Sequence, residues 1–514
     1  MLVSNIKVEI MKYIYTCFII LTLGLFVACD DFLDVKSDQE LFQDESLEKP
    51  EGVHMYVNGI YRQLSATSLY GRELTWGLAS VLGNNYAATS ITYLGTAYYY
   101  ASKFTWSNSD VKSTMKNIWA SGYTAIANIN NLLQEVLKKD TTFFEYGSYE
   151  KDMIVGELYG LRALVHFDLL RLFGPAPITN PTGLVMPYVT VFPDKHPEHK
   201  SVNDVLSAAI EDMKKSRELL ERVDFEFCGK WYNNFAANIK RSNTAAGAPP
   251  GDFYNYRSMR MNYFAVNGLL ARMYMYKGDY KNAYVCADSA INMGWRMDDW
   301  STSKEQYSAT PTSQAPKRWK ELLLCFSNSD SWDNWELYTN KGVNYMTMND
   351  KYVTELFGED VDDYRFRGFY GTQKGRYNAN KRWMVWERPV VTGSETIPVD
   401  YSDQMSLLPV LRNTELYHIL IECLLHDGKT EEATEWLNYF RGNRGCKLTI
   451  DEGLSKEELL EILYNDIIRE TLTEGQTFFM FKRLNRDIYN GASNIEMTPE
   501  NWYSPIPDEE TSYL

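Results

Sequence analysis

Leu270-Ala271-Arg272-Met273-Tyr274-Met275-Tyr276-Lys277-Gly278-Asp279-Tyr280-Lys281-Asn282-Ala283, continuing to Ala287 and Ala290, reads as two helices folded back on each other. Gly278 marks the turn. Ala283, Ala287 and Ala290 follow at four- and three-residue steps, so they share the face where the second helix crosses the first. A weaker copy runs from Tyr417 to Phe440, with Gly428-Lys429-Thr430-Glu431-Glu432-Ala433 at its turn.

Both segments resemble the tetratricopeptide helix-turn-helix unit, in which small residues set the helix spacing. The pattern extends outward. Across 151–173, Ile154, Leu158, Leu161, Val165, Leu169 and Leu172 step by three and four onto one face. Gly156, Gly160 and Ala163 form a second, small-residue stripe that lets another helix approach. Gly174-Pro175 stops this helix. A Pro-rich loop spans Pro175 to Pro197, and Ser201 then reads as the N-cap of a helix through Leu220. Tyr56 to Leu64 and Trp119 to Leu133 supply further amphipathic helices. The expected fold class is all-α, with antiparallel helix pairs supporting an irregular, loop-rich half.

Two segments lack helical period. From Trp295 to Leu411, Ser, Asn, Asp, Thr and Gly mix with Trp295, Trp300, Trp319, Trp332, Trp335, Tyr338, Tyr345, Trp383 and Trp386. From Leu82 to Phe104 the chain is irregular and Tyr-rich. Long non-periodic segments inside a helical protein usually carry function. Aromatics make up 14% of the chain, with 37 Tyr and 13 Trp; most of these belong to core and rim. A net charge of -16 argues against nucleic acid, whose phosphates demand Lys and Arg clusters.

The N-terminus has its own logic. Tyr13 to Ala28 is sixteen uncharged residues, short of the ~20 a spanning helix needs. Lys12 precedes the run, Met11 offers an alternative start, and Phe26-Val27-Ala28-Cys29 resembles a lipobox. This reads as a signal peptide over 1–28, ending at lipidated Cys29 and followed by a flexible tether over 29–45. Several acyl chains, each contributing ~0.8 kcal/mol per buried methylene, would hold the protein at a membrane. Two regions follow, 46–220 and 221–514, expected to pack as one globular unit. Of the seven cysteines, Cys17 leaves with the signal and Cys29 takes lipid. The other five, Cys228, Cys286, Cys325, Cys423 and Cys446, are an odd, scattered set with no CxxC. They read as small core residues.

No catalytic constellation stands out: the chain has no HExxH, GxSxG, GxGxxG or phosphate-cradling loop. His196 and His199 share a Pro-rich loop but make a poor metal site. Acidic pairs such as Asp362 and Asp363 are expected by chance among 68 carboxylates. No cofactor is expected. A loop-bound calcium ion stays open, although no twelve-residue calcium loop is present.

Four segments, in order along the chain, carry a resemblance. They are Cys29-Asp30-Asp31-Phe32-Leu33-Asp34; Gly156-Glu157 with Leu161-Arg162-Ala163-Leu164 and Phe167 to Gly174; Leu411-Arg412-Asn413-Thr414-Glu415-Leu416-Tyr417; and Glu474-Gly475-Gln476-Thr477-Phe478-Phe479 with Phe481-Lys482-Arg483. With Tyr503-Ser504-Pro505-Ile506-Pro507 they resemble the SusD/RagB family of outer-membrane nutrient-uptake lipoproteins of Bacteroidetes. The resemblance implies a lipid-anchored, surface-facing helical protein that caps a SusC-like TonB-dependent transporter and captures glycan or, in some members, peptide. It also implies that Asp30-Asp31 act as a surface-export signal. Arg162, Arg412, Glu415, Glu474 and Arg483 read as ion pairs and helix caps rather than ligand contacts.

A sugar ring offers apolar C–H faces and a hydroxyl rim, which Tyr and Trp match with flat faces and polar tips. Tyr93, Tyr98, Tyr99, Trp332 and Trp335, drawn from the two irregular segments, are the candidate platforms. Micromolar-to-millimolar affinity is expected. The leading reading is a non-catalytic glycan-binding protein; a peptide or other nutrient ligand is the alternative, and a surface glycoside hydrolase is a distant third.

Overall fold

Two left-handed glycines, Gly278 and Gly428, both at φ 78°, fold the repeat segments into helix pairs, in backbone that a Cβ would strain. The computed structural model describes residues 47–88, 91–92, 95–228, 253–254, 257, 259–292, 321–339, 348, 350–363, 365–366, 406–489 and 493–510. The signal, Cys29, the tether and Tyr93 lie outside the described residues. The chain divides into a short unit, 1–53, and a body from His54 to Leu514.

The helices are α1 (Pro50–Leu64), α2 (Leu78–Leu82), α3 (Thr96–Ala101), α4 (Ser109–Lys138), α5 (Gly147–Phe173), α6 (Val202–Arg222), α7 (Tyr263–Lys277), α8 (Tyr280–Asn292), α9 (Ser331–Thr339), α10 (Asp350–Phe357), α11 (Asn413–His426), α12 (Thr430–Asn443), α13 (Lys456–Thr471), α14 (Gln476–Leu484) and α15 (Pro499–Trp502). The strands are β1 (Leu184–Pro187), β2 (His199–Ser201), β3 (Leu322–Ser327), β4 (Leu407–Arg412), β5 (Ile488–Tyr489) and β6 (Asn494–Ile495). They pair antiparallel as β1–β2, β3–β4 and β5–β6. The fold is all-α with tetratricopeptide-like pairs. From α4 to α8 each helix packs on the next, α8 packs on α11, and α11 carries α12 and α13.

Several local expectations are met for visible reasons. The Ser201 hydroxyl accepts from Asp204 N and caps α6, and α5 ends at Phe173, before Gly174. A methyl group at Gly156 would come 2.8 Å from Leu220 Cγ, and one at Gly160 2.7 Å from Met261 Cγ. The small stripe therefore sets how closely α6 lies against α5. Ala283, Ala287 and Ala290 are fully buried.

The one-face reading of α5 needs correction. Twenty-one of its 27 residues are buried, because α4 packs on one side and α6 on another. Its polar groups are buried with partners: Arg162 Nε donates to Asp212 at 2.7 Å, and Asp168 accepts from Tyr70 at 2.5 Å. The segment from 295 to 411 is also less irregular than its sequence suggests. Leu322 stands opposite Arg412 and Ser327 opposite Leu407 in β3–β4. Strands buried on both faces read as continuous apolar runs without alternation, and Leu322-Leu323-Leu324-Cys325 and Leu407-Leu408-Pro409-Val410 are such runs.

The family-motif charges form buried ion pairs. Arg412 reaches Glu321 at 3.0 Å, Glu470 at 2.6 Å and Glu474 at 2.9 Å; Arg272 holds Glu415 at 2.6 Å and Arg483 holds Glu422 at 2.8 Å. Arg444 also joins Glu321 to Glu470, and Arg365 joins Asp363, Asp466 and Glu470. Asp363 is thus locked by Arg365, while Asp362 pairs with Lys447 at 2.9 Å. The five cysteines past the tether are buried thiols, and burial pushes Cys286 up to about 11 and Cys423 up to about 12.

Candidate functional site

The two aromatic-rich segments meet at one place, around the turn that carries Arg72, Glu73 and Trp76. The turn precedes α2, α3 brings Tyr98 and Tyr99, and α9 brings Trp335 and Tyr338. Trp76 is the floor. Its ring meets Trp335 edge to face at 5.0 Å and Tyr338 at 5.5 Å, and its carbonyl accepts from the Tyr86 hydroxyl at 2.6 Å. Tyr98 and Tyr338 lie 6.2 Å apart between centroids.

A single buried carboxylate organises the polar groups. One oxygen of Glu73 accepts from Arg72 Nε at 2.8 Å; the other accepts from the Tyr98 hydroxyl at 2.9 Å and from Leu78 N at 3.1 Å. Arg72 Nη1 then donates to the Tyr338 hydroxyl at 2.9 Å, with the guanidinium 5.4 Å above that ring. Burial pulls Arg72 down, but Glu73 and the Tyr98 and Tyr338 hydroxyls outweigh it, so the net shift is upward. Burial, followed by the nearby Glu73 charge, drives Tyr98 well above the ordinary tyrosine range, so it stays an O–H donor.

The rim is half-exposed. Arg72, Tyr338, Tyr99 and Tyr100 all keep partial access to solvent. Tyr99 and Tyr100 meet edge to face at 5.2 Å, and Lys103 Nζ sits 4.0 Å above the Tyr99 ring while donating to its hydroxyl at 2.5 Å. This arrangement offers ring faces and fixed N–H and O–H groups. Glu73, its carboxylate, is fully committed to internal donors.

The sequence candidates divide accordingly. Trp332 and Trp335 are 6% and 0% exposed and Tyr98 is 4% exposed. A stacking platform must present a face, so burial removes the expected platform role from these three, and Trp335 and Tyr98 instead pack beneath the junction. The cause is helical register: Trp332 and Trp335 stand one turn apart on the face of α9 that packs inward. Tyr99 keeps access, and Tyr93 lies outside the described residues. Arg72, Glu73 and Trp76 carry no spacing signal, because they sit in a turn rather than a periodic element. Among the described residues no group of three or more His, Cys, Asp and Glu gathers to hold a metal ion, and no described helix is long and apolar enough to cross a membrane.

Residues 31–237 match a SusD-like family model described as "Starch-binding associating with outer membrane". No curated protein sequence matches the chain. Solved structures share the fold. A SusD superfamily protein from Bacteroides thetaiotaomicron VPI-5482 aligns at TM-score 0.64 and 20% identity, over 90% of this chain and 98% of that one. A SusD-like carbohydrate binding protein from Bacteroides vulgatus ATCC 8482 aligns at 0.64 and 16%, over 90% and 96%. A SusD-like protein from Bacteroides fragilis NCTC 9343 aligns at 0.62 and 15%, over 91% and 96%.

Proposed function

We propose that this chain, whose residues 31–237 match the SusD-like family model, binds glycan at the aromatic junction and delivers it, without catalysis, to a SusC-like TonB-dependent transporter in the outer membrane. The observation that carries the binding step is the Glu73-fixed pair of Arg72 and Tyr338, half-exposed over a Trp76–Trp335 floor. A pyranose stacks on Tyr338 and on Tyr99 once Lys103 swings off that ring, while Arg72 donates to ring hydroxyls. Preorganised donors reduce the ordering cost of binding. Trp335 and Tyr98 hold the platform from within, and Cys29 supplies the lipid anchor at the cell surface.

Affinity gel electrophoresis against a polysaccharide panel tests the reading. The parent chain is expected to be retarded by at least one glycan, with retardation lost in Tyr338→Ala and Arg72→Ala. Retention unchanged in both variants removes this site, and reducing ends released over time rule out a pure binder. Co-purification with a TonB-dependent barrel from native membranes tests the delivery step.

A further inference from the structure

A groove lined by none of the aromatic-junction residues lies elsewhere on the body. It encloses about 960 Å³ between α4, the 187–199 segment and the 507–510 segment, within the size range of ligand clefts. We propose that this groove binds an extended, positively charged peptide with apolar side chains.

The wall is built to stay open. Asn130 Nδ2 donates to Val189 O at 3.0 Å, Val189 N donates to His166 Nε2 at 3.0 Å, and Arg162 Nη1 donates to Thr190 O at 3.2 Å. Gln134 exchanges two hydrogen bonds with the Phe192 backbone, at 2.7 and 2.8 Å. The four carbonyls of 189–192 and the N–H groups of Val189 and Phe192 are therefore spent on the protein behind the wall. What faces the groove is carbon: Pro187, Val189, Val191, Phe192 and Pro193. Val191 and Phe192 are 50% and 43% exposed.

One buried polar group points to an absent partner. The His199 side chain lines the groove and is 2% exposed, yet neither ring nitrogen has a hydrogen bond. Glu510 is its nearest acid at 3.8 Å, too far for one. Burial lowers the imidazole below its ordinary range, so at neutral pH it offers one donor and one acceptor, as a peptide amide requires. A buried polar atom left unpaired destabilises the fold, and a ligand backbone would relieve that.

Charge and ring geometry choose the ligand class. Asp194, Glu198, Glu509 and Glu510 line the groove against Lys116 and Lys195, and Lys116 is already paired with Glu509. The excess is negative. A pyranose needs an open ring with a polar tip, but Trp119 is 4% exposed, the half-exposed Tyr123 spends its hydroxyl on the Pro187 carbonyl at 2.8 Å, and the open ring of Phe192 carries no polar atom. Aliphatic, proline and phenyl walls under an acidic rim suit apolar side chains flanked by Lys or Arg.

Fluorescence anisotropy at low salt, on the intact chain, tests this with a labelled Lys-Leu-Val-Leu-Lys amide and its Glu-Leu-Val-Leu-Glu counterpart. The basic peptide is expected to bind at least about tenfold tighter, a difference that added salt erodes. Thr124→Trp and Ala120→Trp, both exposed on the α4 wall, fill the groove and are expected to weaken the basic peptide at least about tenfold. Glu510→Gln should weaken it by about threefold and decides the matter if both tryptophan variants unfold. Equal binding of the two peptides, affinity surviving these substitutions, or displacement of the peptide by maltoheptaose would overturn the proposal.

Discussion

Arg412→Met is the sharpest test of what holds β3 and β4 to α13. Arg412 closes β4 and is 4% exposed. Its guanidinium donates to Glu321 on the β3 side at 3.0 Å, to Glu470 at 2.6 Å, to the Glu470 carbonyl at 2.7 Å and to Glu474 at 3.0 Å. Methionine fills much of the volume but supplies no donor, so three carboxylates lose a shared partner while Arg444 still serves two of them. Removing one member of a buried ion cluster costs about 3–5 kcal/mol. With about 2.1 cal/mol/K of unfolding entropy per residue over the roughly 460 residues of the His54–Leu514 body, that loss lowers Tm by about 3–5 °C. Scanning calorimetry at pH 7 reads it directly. Arg412→Lys keeps the charge but not the fork, and should fall between parent and Arg412→Met. Adding Glu474→Gln to Arg412→Met removes one stranded charge and should recover part of the loss. A Tm within about 1 °C of the parent for Arg412→Met would refute the claim that this cluster holds β3 and β4 to α13.

Burial pushes the Asp466 carboxyl up, but Arg365 and His418 outweigh it and hold the group well below the usual carboxylate range. Its folded value is depressed, so its stabilisation is full above the unfolded value of about 3.9 and fades as pH falls below it. Asp466→Asn should therefore be less stable than the parent at pH 7, with the gap in urea midpoints narrowing below about pH 4; a gap that widens in acid contradicts this. Gly160→Ala puts a methyl 2.7 Å from Met261 Cγ and 2.8 Å from Ser216 Oγ, an overpacking cost of about 1–3 kcal/mol. That exceeds the helix-propensity gain of up to about 1 kcal/mol, so a raised denaturant midpoint would show that α5 and α6 are not set by this contact. Glu73→Gln removes the charge that fixes Arg72 and Tyr98 together, and should reduce glycan retention as far as Arg72→Ala does; full retention would mean that the pair orders itself.

Where a single physical rule governed a residue, the sequence was legible. Small residues at helical spacing located the close helix crossings at Gly156, Gly160 and Ala283, and Ser201 marked the start of α6. The strands β3 and β4 stayed hidden because burial on both faces erases alternation, leaving Leu322 to Phe326 and Leu407 to Val410 indistinguishable from short core segments. The site was half legible. Composition and irregularity pointed to two segments that the fold brings together. The choice of Trp332 and Trp335 rested on residue type, and type says nothing of register.

The junction itself explains why its organising residue carries no signal in one dimension. Platforms for a ligand need exposed faces, and exposed rings must be held by something other than packing. Here that role falls to hydrogen bonds from a turn, since Glu73 has Arg72 on one oxygen and Tyr98 on the other, and Arg72 passes the constraint on to Tyr338. Arg72 and Glu73 are neighbours in sequence, but Tyr98 lies 25 residues and Tyr338 266 residues away along the chain. A carboxylate that joins a turn, α3 and α9 is defined only by what it touches. Buried charges are costly unless hydrogen-bonded, and Glu73 meets that condition with three donors shared over both oxygens, so the position is strongly specified in the fold while looking ordinary in the sequence.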